Sequence, residues 1–408
     1  MNHENMKMTE VGWIPKDWEV KKISDVATNS TGLTYSPDDV SSYGTLVLRS
    51  SNIQNDVLAF EDNVFVLMDI PERAIAHTDD ILVCVRNGSR ALIGKSAPIT
   101  EKADGMAFGA FMTVLRATGI NPQYLLYAWR SSIIQEQINA TLGATINQIT
   151  NADLKTFDVT LPTSPSEQRR IASVLSDTDS LIASLSRTIE KKRLVKQGAM
   201  QQLLTGKTRL KGFSGEWVEK KVSSLGKFYG GGTPSTQIED FWKGTIPWIS
   251  SSDLRENDII HISKSRFITD EAVLNSATKI VPKNSILIVT RVGLGKVAVT
   301  NTDICTSQDF SNVNLFEDEL YFIAYSLMIL MKEVKEEAQG TSIKGIDLTA
   351  LKECVLSVPP SYNEQFAISE RLRTMDNEIS SLEAELQKYK ALKQGMMQKL
   401  LTGQIRLK

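Results

Sequence analysis

MQQLLTGKTRL, residues 200–210, and MQKLLTGQIRL, residues 397–407, are one phrase written twice. Extended backward, the repeat keeps a constant offset of 197 residues to Gly143 and Gly340, in GATI and GTSI. On that offset Leu154 matches Leu351, Pro162 matches Pro359, and Glu167-Gln168 matches Glu364-Gln365. The front ends match as well, Trp18-Glu-Val-Lys-Lys-Ile against Trp217-Val-Glu-Lys-Lys-Val, at an offset of 199. A duplicated unit must be mapped before any local reading. Each half is a variable region followed by a repeated terminal segment.

The repeated segment reads as a helix. Ser166-Glu167 and Asn363-Glu364 follow prolines and supply start signals, and Gly206 and Gly403 stand where a closing glycine belongs. The second copy spaces Ile368, Leu372, Met375, Ile379, Leu382, Leu386, Tyr389, Lys393, Met396 and Leu400 in alternating steps of four and three. The first copy puts Ile171, Leu175, Thr178, Ile182, Leu185, Ile189, Lys192, Lys196, Ala199 and Leu203 at the same places. That spacing is a coiled-coil seam, and two seams of equal length are natural partners. The blander reading is a long core helix of one domain.

The variable regions read as mixed α/β. TLVLRSSNI (45–53) aligns in type with TIPWISSSDL (245–254), and ILVCVR (81–86) with ILIVTR (286–291). Each region closes on a helical stretch, 121–139 and 318–339, the first opened by Asn121-Pro122.

Composition excludes several classes. The 408 residues leave room for two to four domains, and a formal net charge of −2 confines any nucleic-acid surface to local patches. Cys84, Cys305 and Cys354 form no C-x-x-C, and with His3, His77 and His261 they suggest no metal site. The polar start MNHENMKMTE has no apolar signal core, and the apolar run Leu320–Met331 is too short to span a bilayer and reads as a buried helix. A soluble protein of a reducing cytoplasm, with no membrane partner, is expected. IGKSA (93–97) and Gly206-Lys207-Thr208 lack the upstream glycine of a phosphate loop, so both read as turns. VPPSY (358–362) lacks the leading Asp or Asn of an adenine-holding loop and stands directly before a helix.

The double cycle of Trp-x-x-Lys-Lys, Gly-x-x-Ile, Leu, Pro, Glu-Gln, long helix and Leu-Leu-Thr-Gly resembles the DNA-specificity subunit of type I restriction–modification systems, over nearly the whole chain. The resemblance implies an α+β fold. Two mixed α/β target-recognition domains would be separated by two long helices forming an antiparallel coiled coil, with an internal pseudo-twofold repeat. The domains would be 1–162, the first helix 163–210, the second domain 211–359 and the second helix 360–408. It implies a non-catalytic reader of an asymmetric bipartite site, with half-site centres about 10 base pairs apart. The implied partners are double-stranded DNA, two modification (methyltransferase) subunits and two restriction (translocase and nuclease) subunits. No cofactor is expected in this chain; S-adenosylmethionine, ATP and magnesium would belong to the partners. A coiled-coil bridging protein, or the recognition part of a fused restriction-methyltransferase, remains an alternative.

Base edges and phosphates are met by Arg, Lys, Asn, Gln and Ser. Candidate contacts in the first domain are Arg49, Ser50, Asn52, Arg86, Asn87, Ser89, Arg90 and Lys95. In the second they are Ser250, Ser251, Ser252, Arg255, Arg291, Lys296 and Gln308. Each also reads as an exposed loop or capping residue. Trp248 reads as core, and the basic run 187–196 as a solvated helix face or a surface near DNA or an acidic partner.

Overall fold

In a computed structural model, which describes residues 5–143, 147–339 and 345–408, the chain divides into two units. The first is Met1–Ser186 with Glu385–Lys408; the second is Arg187–Ala384. His3, and the GATI and GTSI anchors beyond Gly143, lie outside the described residues.

Both units are built to one plan. In the first, an antiparallel sheet runs Ser96–Pro98, Ile81–Cys84, Met112–Ala117, Ala27–Thr31. A second sheet pairs Ala107–Phe108 parallel with Thr45–Leu48. In the second unit the matching sheet runs Gly226–Gly230, Phe310–Leu315, Ser285–Val289, Val297–Val299, and Cys305–Thr306 lies parallel to Ile246–Ile249. The aligned segments of the sequence are therefore the same strands. A further ladder in each unit joins the Trp-x-x-Lys-Lys strand to the strand that precedes the long helix: Trp18–Lys22 with Asp158–Pro162, and Val218–Lys221 with Val355–Val358.

The helical stretch expected at 121–139 is two helices, α1 (Pro122–Trp129) and α2 (Ser132–Thr141). The Asn121 side chain caps α1, accepting from the Tyr124 amide at 2.9 Å. The break is at Ser131, whose hydroxyl turns back 2.6 Å onto the Ala128 carbonyl and competes with the helix ladder. Six consecutive residues of α1, Tyr124–Trp129, are buried, so this helix is enclosed on all sides.

The repeated segments are the helices α3 (Pro165–Leu203) and α5 (Tyr362–Leu400), each 39 residues, or about 58 Å long at 1.5 Å per residue. Between them in sequence lies α4 (Leu320–Gln339), the buried helix of the second unit. None of the seam residues named above is exposed. Ile171, Leu175 and Leu400 join the core of the first unit; Leu203, Ile368 and Leu372 join that of the second. Ile182, Leu185, Leu382 and Leu386 are half-buried.

The helices pair antiparallel inside each unit. In the second, Lys192 meets Glu378 at 2.5 Å, Lys196 meets Asp376, and Arg209, just beyond α3, meets Glu364. In the first, Asp179 meets Lys393 at 2.6 Å, and Glu167 meets Arg406. The basic run 187–196 is thus not merely solvated: Lys192, Arg193 and Lys196 all reach carboxylates on α5.

Candidate nucleic-acid interface

The repeated phrase explains itself in side-chain contacts. Arg406 forms a two-pronged bond to Glu167, at 2.6 and 2.8 Å, and a second one to Asp17, at 2.7 and 2.8 Å. Its guanidinium also lies over the Trp18 ring. Arg209 repeats this on Glu364, at 2.6 and 2.7 Å, and over Trp217. Paired forks of this kind are the strong ion pairs. Arg406 hydrogen bonds hold Asp17 down to about 2 and hold Glu167 below the usual carboxylate range. Next to the clamps, Gln168 donates to Pro162 and accepts from the Asn121 amide, while Gln365 donates to Pro359 and accepts from Glu319. Gly206 and Gly403 both have φ +69°, and a Cβ on Gly403 would lie 2.4 Å from Pro15. Only glycine takes that backbone freely.

On this frame each unit presents a cluster of loops. In the first, residues 49–52, 86–90, 109–111 and 147–148 converge. The Arg49 amide donates to Asn52 Oδ1 at 2.9 Å, closing a tight turn after the strand Thr45–Leu48. Asn87 Nδ2 reaches Ser50 Oγ at 3.1 Å, and the amides of Val85 and Arg86 both donate to the Phe111 carbonyl. Arg86 bridges to Gln148. In the second unit the Ser250 amide donates to Asp253 Oδ2 at 2.8 Å in the same turn, the Thr290 amide donates to the Asp309 carbonyl, and the Ile346 amide donates to Thr290. Two chemically different surfaces therefore stand on one backbone plan.

Several candidate residues do belong to these clusters. Arg86, Ser89, Arg90, Ser252, Arg255, Arg291 and Gln308 are exposed, and Ser50, Asn87, Lys95 and Ser250 are half-buried. Others are bonded within the protein, which the sequence reading did not foresee. Asn52 is fully buried, its amide nitrogen shared among Ala59, Asp62 and Asn63. Lys296 donates to the carbonyls of Ser251 and Leu254 at 2.8 and 2.9 Å. Ser251 is buried, and Arg49 pairs with Asp62 at 2.9 Å. Trp248 is core, its indole donating to Gly232 at 2.8 Å. Gly94 and Gly295, both at positive φ, turn the chain between paired strands.

The structure adds residues that composition did not single out. Phe111 is 55% exposed beneath the Arg86 guanidinium, at 5.1 Å. In the second unit an open cleft of about 500 Å³ gathers Arg255, His261 and Lys264 with Ser252 and Asn301. Arg266 is tied to Asp253 and Ser250 and stacks on Trp248. Among the described residues no group of His, Cys, Asp and Glu is placed to hold a metal, and no helix is long and apolar enough to cross a membrane.

The type I restriction modification DNA specificity domain matches the chain twice, over residues 15–192 and 214–394. The chain belongs to that family. It carries two DNA-specificity domains, each with one loop cluster. It is similar to the putative type I restriction enzyme MjaX specificity subunit of Methanocaldococcus jannaschii, 28% identical over 99% of this chain and 97% of that one. The EcoR124I/EcoR124II specificity subunit of Escherichia coli is 32% identical over 57% of this chain and 59% of its own. Among solved structures, the type I restriction-modification S subunit from M. genitalium superimposes with a TM-score of 0.62, covering 97% of this chain and 98% of that one at 16% identity. A chain from a type I restriction–modification assembly study gives 0.58 over 96% of this chain and 99% of that one, also at 16% identity. The specificity-subunit fold thus extends along the whole chain.

Proposed function

We propose that each unit of this specificity subunit reads one half of an asymmetric, split DNA site, and that the chain itself catalyses nothing. The observation that carries this is the pair of loop clusters, alike in backbone and unlike in side chains: Arg49, Asn52 and Phe111 in one stand where Ser250, Asp253 and Asp309 stand in the other. Equal scaffolds meet a duplex in the same manner, and different side chains select different bases. The two 39-residue helices serve as the ruler for the unread spacer and as the seat for two modification subunits. S-adenosylmethionine would be bound by those subunits, and ATP and magnesium by two restriction subunits. The sequence supports this assignment, since IGKSA (93–97) lacks the upstream glycine of a phosphate loop and VPPSY (358–362) the leading Asp or Asn of an adenine-holding loop.

Methylome sequencing of the host with and without this gene tests the reading. A split adenine motif that vanishes on deletion is the expected result. Unchanged methylation refutes it. Calorimetry on the purified chain should likewise show no stoichiometric binding of S-adenosylmethionine.

A further inference from the structure

Arg86 differs from the other two arginines of its loop cluster. Arg49 is paired with Asp62, and Arg90 donates to the Asn139 carbonyl. Among the described residues, the Arg86 guanidinium touches the Phe111 ring and no carboxylate. That ring is 55% exposed and belongs to none of the apolar clusters of its unit. Packing does not account for a phenylalanine there, whereas a platform for a cation does. The platform is rigid, because the Phe111 carbonyl accepts from both Val85 and Arg86 and Arg86 is bridged to Gln148. Asn87, bonded to Ser50, fixes the next residue. The matching position in the second unit is Asp309, whose carboxylate takes the Ser307 hydroxyl at 3.2 Å, so this pairing is peculiar to the first domain.

We propose that Arg86 reads a guanine in the half-site of the first domain, and that Phe111 is the positioning residue that holds its guanidinium flat for the contact. The inference rests on the split-site reading above. A guanidinium presents parallel N–H groups that match the O6 and N7 of guanine in the major groove. A long side chain already held against a ring loses less freedom on binding, so discrimination improves without a further contact.

The test co-expresses this chain with its modification subunit and compares methylated motifs for wild type, Arg86→Ala, Arg86→Lys, Phe111→Ala and Phe111→Tyr. Arg86→Lys keeps the charge and loses the fork, so it serves even if Arg86→Ala folds poorly. Both Arg86 variants should lose preference for guanine at one position of one half-site by about 10- to 100-fold, with the other half-site unchanged. Phe111→Ala should weaken the same preference by about 2- to 5-fold, and Phe111→Tyr should retain it. An unchanged motif with uniformly weaker binding and a salt slope reduced by about one would make Arg86 a phosphate contact and overturn the proposal. Relaxation at a base other than guanine would overturn it too. If the wild-type complex methylates no split motif, the functional reading itself fails and takes this inference with it.

Discussion

Arg406 holds two carboxylates of the first unit at once. Its fork neutralises Glu167, whose side chain is 2% exposed, and also holds Asp17. Arg406→Met leaves a buried carboxylate unpaired and should destabilise the first unit by about 3 kcal/mol in chemical denaturation. Arg209→Met should do the same to the second unit through Glu364. The pH dependence follows in sign. Arg406 depresses both acids in the folded state, so their stabilisation is complete above the ordinary carboxylate value of about 4. It is lost as pH falls toward the folded value, about 2 for Asp17. Wild type should therefore lose stability between about pH 4 and 2, and Arg406→Met should lose less over that window. Equal slopes for the two proteins would dismiss the clamp.

At the scale of the helices, the surprise is the lysines of the seam. An apolar-seam rule makes Lys196 and Lys393 faults. Each instead meets an aspartate that also takes a tyrosine hydroxyl: Lys196 with Asp376 and Tyr325, Lys393 with Asp179 and Tyr127. Burial first, and the aspartate second, pushes both tyrosines well above their ordinary range, so they remain donors. These triads bond each long helix to a helix of its own unit's globular region, Tyr127 on α1 and Tyr325 on α4. Lys196→Met should cost about 3 kcal/mol by stranding Asp376, and adding Asp376→Asn should recover most of it. A double-mutant cycle reads the difference; if single and double variants unfold alike, Lys196 is not neutralising a buried charge.

The repeat makes two predictions for the molecule as a whole. Exchanging residues of about 20–155 for those of a relative should alter one half-site of the methylated motif and leave the other, since loop cluster and clamp are complete within each unit. A change in both halves would exclude modular reading. A fragment of residues 1 to about 212 should form a homodimer that reads a palindrome. In the first unit the segment Glu385–Lys408 would be replaced by its match from a second copy. On the 197-residue offset Lys196 then finds Asp179 and Arg209 finds Glu167, so triad and clamp are both rebuilt. Lys192 loses Glu378 for Leu181, and Arg193 loses Glu383 for Ser186, so the dimer should be weaker than the intact pairing. Sedimentation checks assembly, and Arg209→Ala should abolish it; a monomeric fragment that folds would refute the prediction.

The sequence by itself determined the duplication, the two helices with their seam, and the strands that align between halves. Each of these is a periodicity or a spacing, and periodicity is what local chemistry writes directly into a chain. It also held the clamp in plain sight, since Arg209 and Arg406 sit inside the repeated phrase, yet their partners are 155 and 239 residues away. Only the tertiary structure decided those pairings. Only it separated Arg49, paired with Asp62, from Arg86, which meets no carboxylate among the described residues, and only it showed that Asn52 and Lys296 bond within their own turns. Phe111 ran the other way, apolar by composition and solvent-facing in fact, because which side of a strand end meets water depends on segments that converge only when the chain is folded.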